Sequence, residues 1–131
     1  MKRLIFFLII PFLITACSDE EQKSLRSNEP IIGVWKLHEY VDPNSIGDFD
    51  HCMKNNTLTV YGDLSFNIIT YGVNSEGECV EQTNKGSKLF KLRGENNVYG
   101  VDDSVLKILD PFTLRIQDKG YSSYDTYIKV N

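Results

Sequence analysis

The residues best suited to chemistry in this sequence are three cysteines and two histidines. Cys17 stands apart near the amino end, whereas His51 and Cys52 are adjacent and Cys79 follows later. Together with His38, the last three could supply the four ligands that a structural zinc ion needs. Their spacing does not match a zinc-binding motif, in which ligands come in close pairs, so the sequence disfavours a metal site.

Catalysis finds no support in the sequence. A general base needs a positioned partner, and we expect His38 on the outer face of a strand and His51 in a loop. The pairs Asp48/Asp50 and Asp102-Asp103 could bind calcium, but turns favour Asp for backbone reasons and no calcium-loop pattern is present. Nucleotide-binding, serine-hydrolase and zinc-protease motifs are also missing from the sequence. We therefore expect neither an enzyme nor a cofactor.

The amino-terminal stretch predicts export. Two basic residues precede an apolar run at 4–14, and the small residues Thr15 and Ala16 end it. This is the layout of a secretory signal peptide. Because a spanning helix needs about 20 apolar residues, the run is too short to cross a membrane. We predict that residues 1–16 are a signal peptide.

The end of this leader resembles the bacterial lipobox in Ile14-Thr15-Ala16-Cys17. The resemblance implies that the Cys17 thiol receives diacylglycerol, that cleavage falls before Cys17, and that the new α-amine receives an acyl chain such as palmitate. Two chains already anchor a protein stably, since each buried CH₂ contributes about 0.8 kcal/mol. An outer-membrane lipoprotein with the lipid bilayer as its partner is thus expected. The alternative is an ordinary secretory signal with a chance cysteine.

The residues after Cys17 could indicate on which face of the outer membrane the protein lies. Ser18-Asp19-Glu20-Glu21 resembles the acidic run of lipoproteins that bacteria of the Bacteroidetes type send to the cell surface. A solvated acidic tether is the alternative, so the cell surface and the periplasmic face both stay open. Residues 17–30 are polar and lack hydrophobic periodicity, and we predict a lipidated cysteine followed by a flexible tether.

The mature chain is acidic and keeps one pair of cysteines. Removal of residues 1–16 leaves 115 of the 131 residues, enough for one domain. The loss of Lys2 and Arg3 lowers the 14 basic side chains to 12, against 18 acidic ones, for a net charge of −6. This charge argues against nucleic acid as a partner. Because exported proteins meet an oxidising compartment, we predict a disulfide between Cys52 and Cys79.

The pattern from residue 31 onward predicts an all-β fold. Short alternating runs are separated by turn residues, no stretch has helical periodicity, and about eight or nine strands result. The strongest hairpin signal joins 57–61 to 64–71 through Gly62-Asp63. We predict a small antiparallel up-and-down barrel, because closing such a sheet removes its exposed edges.

Two further expectations concern the second half of the chain. A turn is expected at 84–86, between two short strands. In the last strand, the apolar side chains of Tyr124, Ile128 and Val130 are expected to face inward.

A family resemblance appears at Gly33-Val34-Trp35-Lys36-Leu37. Gly-x-Trp on a first strand resembles the lipocalin signature, and the order of lipobox, tether, Gly-x-Trp-x-Leu, cysteine, hairpin and cysteine is similar to short bacterial lipocalin-like lipoprotein domains. The resemblance covers 31–131 and implies a lipocalin-like barrel in which Trp35 packs across one end. The domain is shorter than a full lipocalin, and an eight-stranded barrel holds its own side chains or one small ligand.

Two functions are compatible with such a barrel. The first is binding of a small hydrophobic ligand, for which five aromatic side chains are predicted to form the lining: Trp35, Phe66, Phe90, Phe112 and Tyr124. Core packing is the alternative role of these rings. The second function is contact with an envelope protein, as an interaction or inhibitor module, through loops such as 42–51 and 72–77 on a solid barrel.

Overall fold

The computed structural model describes residues 28–44 and 50–130. The predicted signal peptide, the predicted lipidation site Cys17, the part of the predicted tether before residue 28, and Asp48 lie outside the described residues. Expectations about them therefore remain predictions.

Nine β-strands and one short 3₁₀-helix form the described part of the chain. In chain order they are β1 (Gly33–Val41), the 3₁₀-helix (His51–Asn55), β2 (Thr57–Val60), β3 (Ser65–Val73), β4 (Cys79–Lys88), β5 (Phe90–Lys91), β6 (Val98–Val101), β7 (Ser104–Asp110), β8 (Thr113–Asp118) and β9 (Tyr124–Val130). Every strand pairing is antiparallel. The predicted all-β fold, a small antiparallel up-and-down barrel, is confirmed.

A single sheet contains all nine strands in the order β4-β3-β2-β1-β9-β8-β7-β6-β5. Only Leu89 separates β4 from β5, and the eight antiparallel pairings between them require both to run in the same direction. Residues 79–91 therefore act as one long strand, which pairs first with β3 and then with β6. The sheet curls into a barrel with eight strand positions, and within the described chain β3 is the only strand that pairs with β4.

The predicted hairpin between β2 and β3 is present, although its turn is longer than the expected two residues. The turn spans 61–64, where the Tyr61 N–H donates to the Ser65 carbonyl at 2.8 Å and the Leu64 N–H donates to the Tyr61 carbonyl at 2.9 Å. Leu64 has a φ of 64°, a conformation that costs an L-residue roughly 1–2 kcal/mol. Burial of the Leu64 side chain in the core offsets this cost.

The turn expected at 84–86 is wrong. β4 continues through these residues, because Asn84 pairs with Ile69 and Gly86 pairs with Asn67 of β3. Asn and Gly favour turns when they stand alone, but a neighbouring strand that satisfies their backbone hydrogen bonds overrides that preference.

The inward face of β9 also differs from the prediction. Tyr127 is 1% exposed and pairs with Leu37 of β1 and Leu114 of β8. Because side chains alternate along a strand, Asp125 and Lys129 share the inward face with Tyr127. The residues expected inside lie on the other face of β9: Tyr124, Ile128 and Val130.

The core fills one end of the barrel, here called the closed end, where β1 begins and β9 ends. The segment before β1 runs across this end, and its Ile31 is fully buried. Trp35 is also fully buried and donates its indole N–H to the Ile31 carbonyl at 2.8 Å. A large ring that is buried with its donor satisfied adds apolar burial without leaving an unpaired polar group.

Polar contacts fix the same segment in place. The Tyr99 hydroxyl donates to the Glu29 carboxylate at 2.6 Å. The Lys129 ammonium donates to the Pro30 carbonyl at 3.1 Å and lies 5.0 Å from the centroid of the Trp35 ring. The chain that precedes the barrel therefore leaves from the closed end.

The opposite end, here called the open end, carries the predicted disulfide. Cys52 of the 3₁₀-helix is bonded to Cys79, the first residue of β4. Met53 of the same helix packs against the core, and the Asn56 side-chain oxygen accepts the Tyr71 N–H at 2.7 Å. The helix and the disulfide thereby hold the end of the β3–β4 hairpin, which extends beyond β2.

Candidate functional site

A cavity of about 160 Å³ lies inside the barrel toward the open end. Its walls come from inward positions of β2, β3, β7 and β8 and from the end of β6. The apolar residues in these walls are Leu58, Phe66, Ile68, Val101, Leu106 and Ile116. An apolar surface of this kind suits an apolar ligand, since water gains few hydrogen bonds there.

The cavity opens through the gap between β4 and the β6–β7 turn. Lys85, Asp102 and Ser104 line this mouth, and Lys85 pairs with Ile68 of β3, which places both on one face of the sheet. The Lys85 ammonium lies 3.9 Å from the Asp102 carboxylate across the gap. Both side chains are well exposed, so the ion pair contributes at most about 1 kcal/mol.

A second, smaller cavity of about 80 Å³ adjoins the first and shares Ile116 with it. Asp118 and Asp125 are both in its wall. Burial raises the pKa of Asp125 to about 6, and the negative charge of Asp118 adds to the rise. The interior is therefore apolar toward β2 and β3 and acidic toward the β8–β9 end.

Only one of the five predicted lining residues is in the wall of the larger cavity. Phe66 lies there, and Tyr124 borders the smaller cavity. The guanidinium of Arg115 stacks on the Tyr124 ring, 4.0 Å from its centroid. Trp35 belongs to the packed closed end, so its role is core packing.

The inward orientation expected for Phe90 and Phe112 is wrong. Phe90 is 50% exposed and pairs with Gly100, and its ring occupies the space that a Cβ at Gly100 would need. Phe112 is 60% exposed because it lies in the β7–β8 turn and not in the strand that begins at Thr113. Neither ring contributes to the cavity.

The sequence does not identify the polar residues around the cavity in advance. The turn predicted at 84–86 includes Lys85, and the inward face predicted for β9, with Tyr124 and Ile128, leaves Asp125 on the opposite face. A signal for Asp125 does exist, because reading the alternation of β9 from Tyr127 outward places Asp125 inside. Lys85 has no comparable signal, since its position depends on the pairing of β4 with β3.

The other residues considered for chemistry have structural roles. The nitrogen and sulfur atoms of His51, Cys52 and Cys79 lie within 4.8 Å of one another, but the two sulfurs are bonded to each other and leave no thiolate for a cation. Asp102 has a φ of 48° in the β6–β7 turn, a conformation that Asp tolerates. His38 lies at the β1 bulge and is exposed.

Comparisons with models of protein families, with curated proteins and with solved structures find no match to this chain. Within residues 28–44 and 50–130, there is no helix with the length and apolar character needed to cross a membrane.

Proposed function

We propose that the protein is a lipid-anchored envelope lipoprotein whose lipocalin-like barrel binds a small hydrophobic ligand. The observation that carries the proposal is the apolar cavity at the open end, with walls from Leu58, Phe66 and Leu106. At the closed end Trp35 is fully buried in the packed core, and two grooves of about 410 and 450 Å³ lie beside Leu109 and Phe90. The proposal places the ligand in the cavity toward the open end, because inward-facing apolar side chains of the barrel strands form its walls.

The size of the cavity limits the ligand. A cavity of about 150 Å³ lined by Leu, Ile and Phe holds one benzene-sized molecule, and this cavity has about 160 Å³. One ring or a short alkyl chain fills it, and each CH₂ buried there contributes about 0.8 kcal/mol. A longer ligand would extend through the gap beside Lys85.

The anchoring part of the proposal comes from the leader. A charged start, an apolar run and a small-residue end before Cys17 support lipidation of that thiol, with the outer membrane as destination. The described chain begins at the closed end, so a tether from Cys17 reaches the barrel there, at the end opposite the β6–β7 turn that borders the cavity mouth. Mass spectrometry of the purified protein for an acylated amino-terminal Cys17 tests this part.

The ligand is tested with the full-length protein purified from bacterial membranes in mild detergent. Organic extraction followed by mass spectrometry should recover a small apolar compound. A fluorescent naphthylamine probe should bind the protein after extraction, with one ring in the cavity and the remainder in the gap beside Lys85. Val101→Trp, which fills the cavity, should weaken probe binding about tenfold or more, a loss of about 1.4 kcal/mol.

Val105→Trp is the matched control, because Val105 pairs with the outward-facing Gly100 on the other side of the same hairpin. This variant should bind the probe like the unchanged protein. No extractable compound, together with equal probe affinity for both variants, would contradict the ligand-binding function.

A second function is favoured by the outer edge of β4. All ten residues of β4 are exposed, and β3 is the only described strand paired with it. An extended segment of an envelope protein could add to such an edge by β-augmentation. A photo-crosslinker at Glu81 on intact cells should then give one defined product, whereas a crosslinker at Lys107 on β7 should give none; no product at Glu81 would exclude this function.

A further inference from the structure

Exposed apolar side chains form a rim around much of the closed end. These side chains lie at the closed-end termini of four strands and in the β7–β8 turn. We name them the apolar rim: Tyr61 after β2, Val34 on β1, Val130 on β9, Leu109 on β7 and Phe112 in the turn. Val34 pairs directly with Val130, and the Lys129 N–H donates to the Phe112 carbonyl at 2.9 Å. The rim is therefore continuous from β1 across β9 to the β7–β8 turn, and Tyr61 and Leu109 lie at the closed end on either side of this stretch.

Basic side chains lie next to the rim, farther from the closed end along the same strands. Lys36 is two residues beyond Val34 on β1 and shares its outer face. Lys107 is two residues before Leu109, which lies at the irregularity between Ile108 and Asp110 on β7. Both lysines are exposed. The acidic residue nearest the rim on the β7–β8 turn is Asp110, whose carboxylate accepts the Phe112 N–H at 2.8 Å.

The path of the chain places the proposed lipid near the same end. Pro30 shares a surface groove with Leu109 and Pro111, so the chain enters the barrel beside the rim. Eleven residue steps separate Cys17 from residue 28, and a chain of that length reaches at most about 40 Å. A lipid on Cys17 therefore keeps the rim within reach of the bilayer that holds the lipid.

We propose that the apolar rim rests on the phospholipid bilayer, so that the closed end faces the membrane and the β6–β7 turn beside the cavity mouth lies on the side away from it. The inference rests on the proposed lipidation of Cys17 and adds an orientation to it. The rim enters the interface between headgroups and acyl chains, where aromatic side chains concentrate. Lys36 and Lys107 then lie at the height of the lipid phosphates.

A bilayer fits the rim better than a protein partner does. Tethering makes contact with the membrane an intramolecular event with a high effective concentration, so a few apolar side chains suffice. A ring of apolar residues with lysines behind it matches the order of acyl chain and phosphate in a phospholipid.

The orientation is tested by fluorescence quenching in the lipidated, full-length protein. Phe112→Trp places a reporter in the rim, and Tyr121→Trp places one at an exposed aromatic position of the open end. Each variant is reconstituted into vesicles of phosphatidylethanolamine and phosphatidylglycerol with brominated acyl chains. Trp35 gives the same background in both.

The rim reporter should be quenched at least about twice as strongly as the open-end reporter, because an interfacial residue sits about 5–10 Å into the headgroup boundary. Equal quenching in protein that floats with the vesicles would overturn the orientation and leave the anchor intact. Failure to float, with no acyl group on Cys17, would overturn the anchor and the orientation together, whereas ligand binding is measured separately with the naphthylamine probe.

A different occupant of the rim would also overturn the proposal. Weak quenching of the Phe112→Trp reporter, together with a dimer in detergent that Phe112→Ser dissociates, would assign the rim to a second copy. Weak quenching together with a crosslink from position 112 to another envelope protein would assign it to that protein.

Discussion

The two ends of the barrel use the same strands in opposite ways. At the closed end, Ile31, Trp35 and Tyr99 are fully buried, and the polar atoms of the indole and the phenol have partners. At the open end, the inward positions of the last strands are Asp118 and Asp125, and apolar space remains unfilled beside Ile116. The difference separates the packed core from the cavity, because one end holds the fold together and the other end contains the proposed ligand site.

The largest expected effect removes the ring at the centre of the closed end. Trp35→Ala should lower the free energy of unfolding by about 3–5 kcal/mol, since it leaves a cavity and an unpaired Ile31 carbonyl. Urea unfolding followed by far-ultraviolet circular dichroism measures the loss. Val34→Ala, at an exposed neighbouring position, should change stability by less than about 0.5 kcal/mol. A loss below about 1 kcal/mol for Trp35→Ala would mean that the closed end does not carry the stability.

A smaller loss of stability is expected when the disulfide at the open end is removed. The paired replacement Cys52→Ser and Cys79→Ser should cost roughly 3 kcal/mol, because the disulfide spans 27 residues and restricts the unfolded chain. Hydrogen exchange should accelerate most at the end of the β3–β4 hairpin and least around Trp35. Uniform acceleration across the sheet would show that the two ends are not independent.

The smallest expected effect concerns the acidic part of the interior. Here a substitution is expected to raise the free energy of unfolding, whereas the two preceding substitutions lower it. The pKa of Asp125 is raised to about 6, so the folded protein favours the protonated form. Ionisation of Asp125 therefore destabilises the fold as pH rises from about 4 to about 6, and the full penalty persists above that range.

Asp125→Asn removes this penalty and should stabilise the protein by about 1–2 kcal/mol at pH 7.5 or so, with almost no gain near pH 4. Trp35 fluorescence during urea unfolding at both pH values measures the gain. Asp118→Asn should move the pH dependence downward, because the charge that opposes ionisation of Asp125 is gone. A gain for Asp125→Asn of equal size at both pH values would contradict the assigned cause.

The fold was predictable because its main determinants are local. Alternation across β2 and β3 and turn residues between the strands predicted the hairpin and the all-β class. A pair of cysteines in a chain with a predicted export signal predicted the disulfide. The prediction of a turn at 84–86 was wrong for a different reason. Pairing with β3 decides the conformation of Asn84 and Gly86, and no neighbouring residue in the chain encodes that pairing.

The candidate site was less predictable, since it depends on which face of each strand turns inward. On β9 both alternating sets contain apolar residues, and the burial of Tyr127 decides between them. Lys129 tolerates the inward face because its ammonium reaches the Pro30 carbonyl at the closed end. Asp125 tolerates it because the open end leaves it partly solvated. Phe66 alone among the predicted lining residues belongs to the larger cavity.

The pairing of the first strand with the last also has a consequence for the order of folding. Lys129 contacts Pro30 across a separation of 99 residues, and β1 pairs with β9 along nearly all of its length. Such non-local pairing makes folding slow relative to helical proteins of similar size. A chain that emerges amino end first cannot complete this sheet until β9 has appeared. Delayed closure would keep the polypeptide unfolded until its synthesis is nearly complete, which is compatible with the predicted export of the chain.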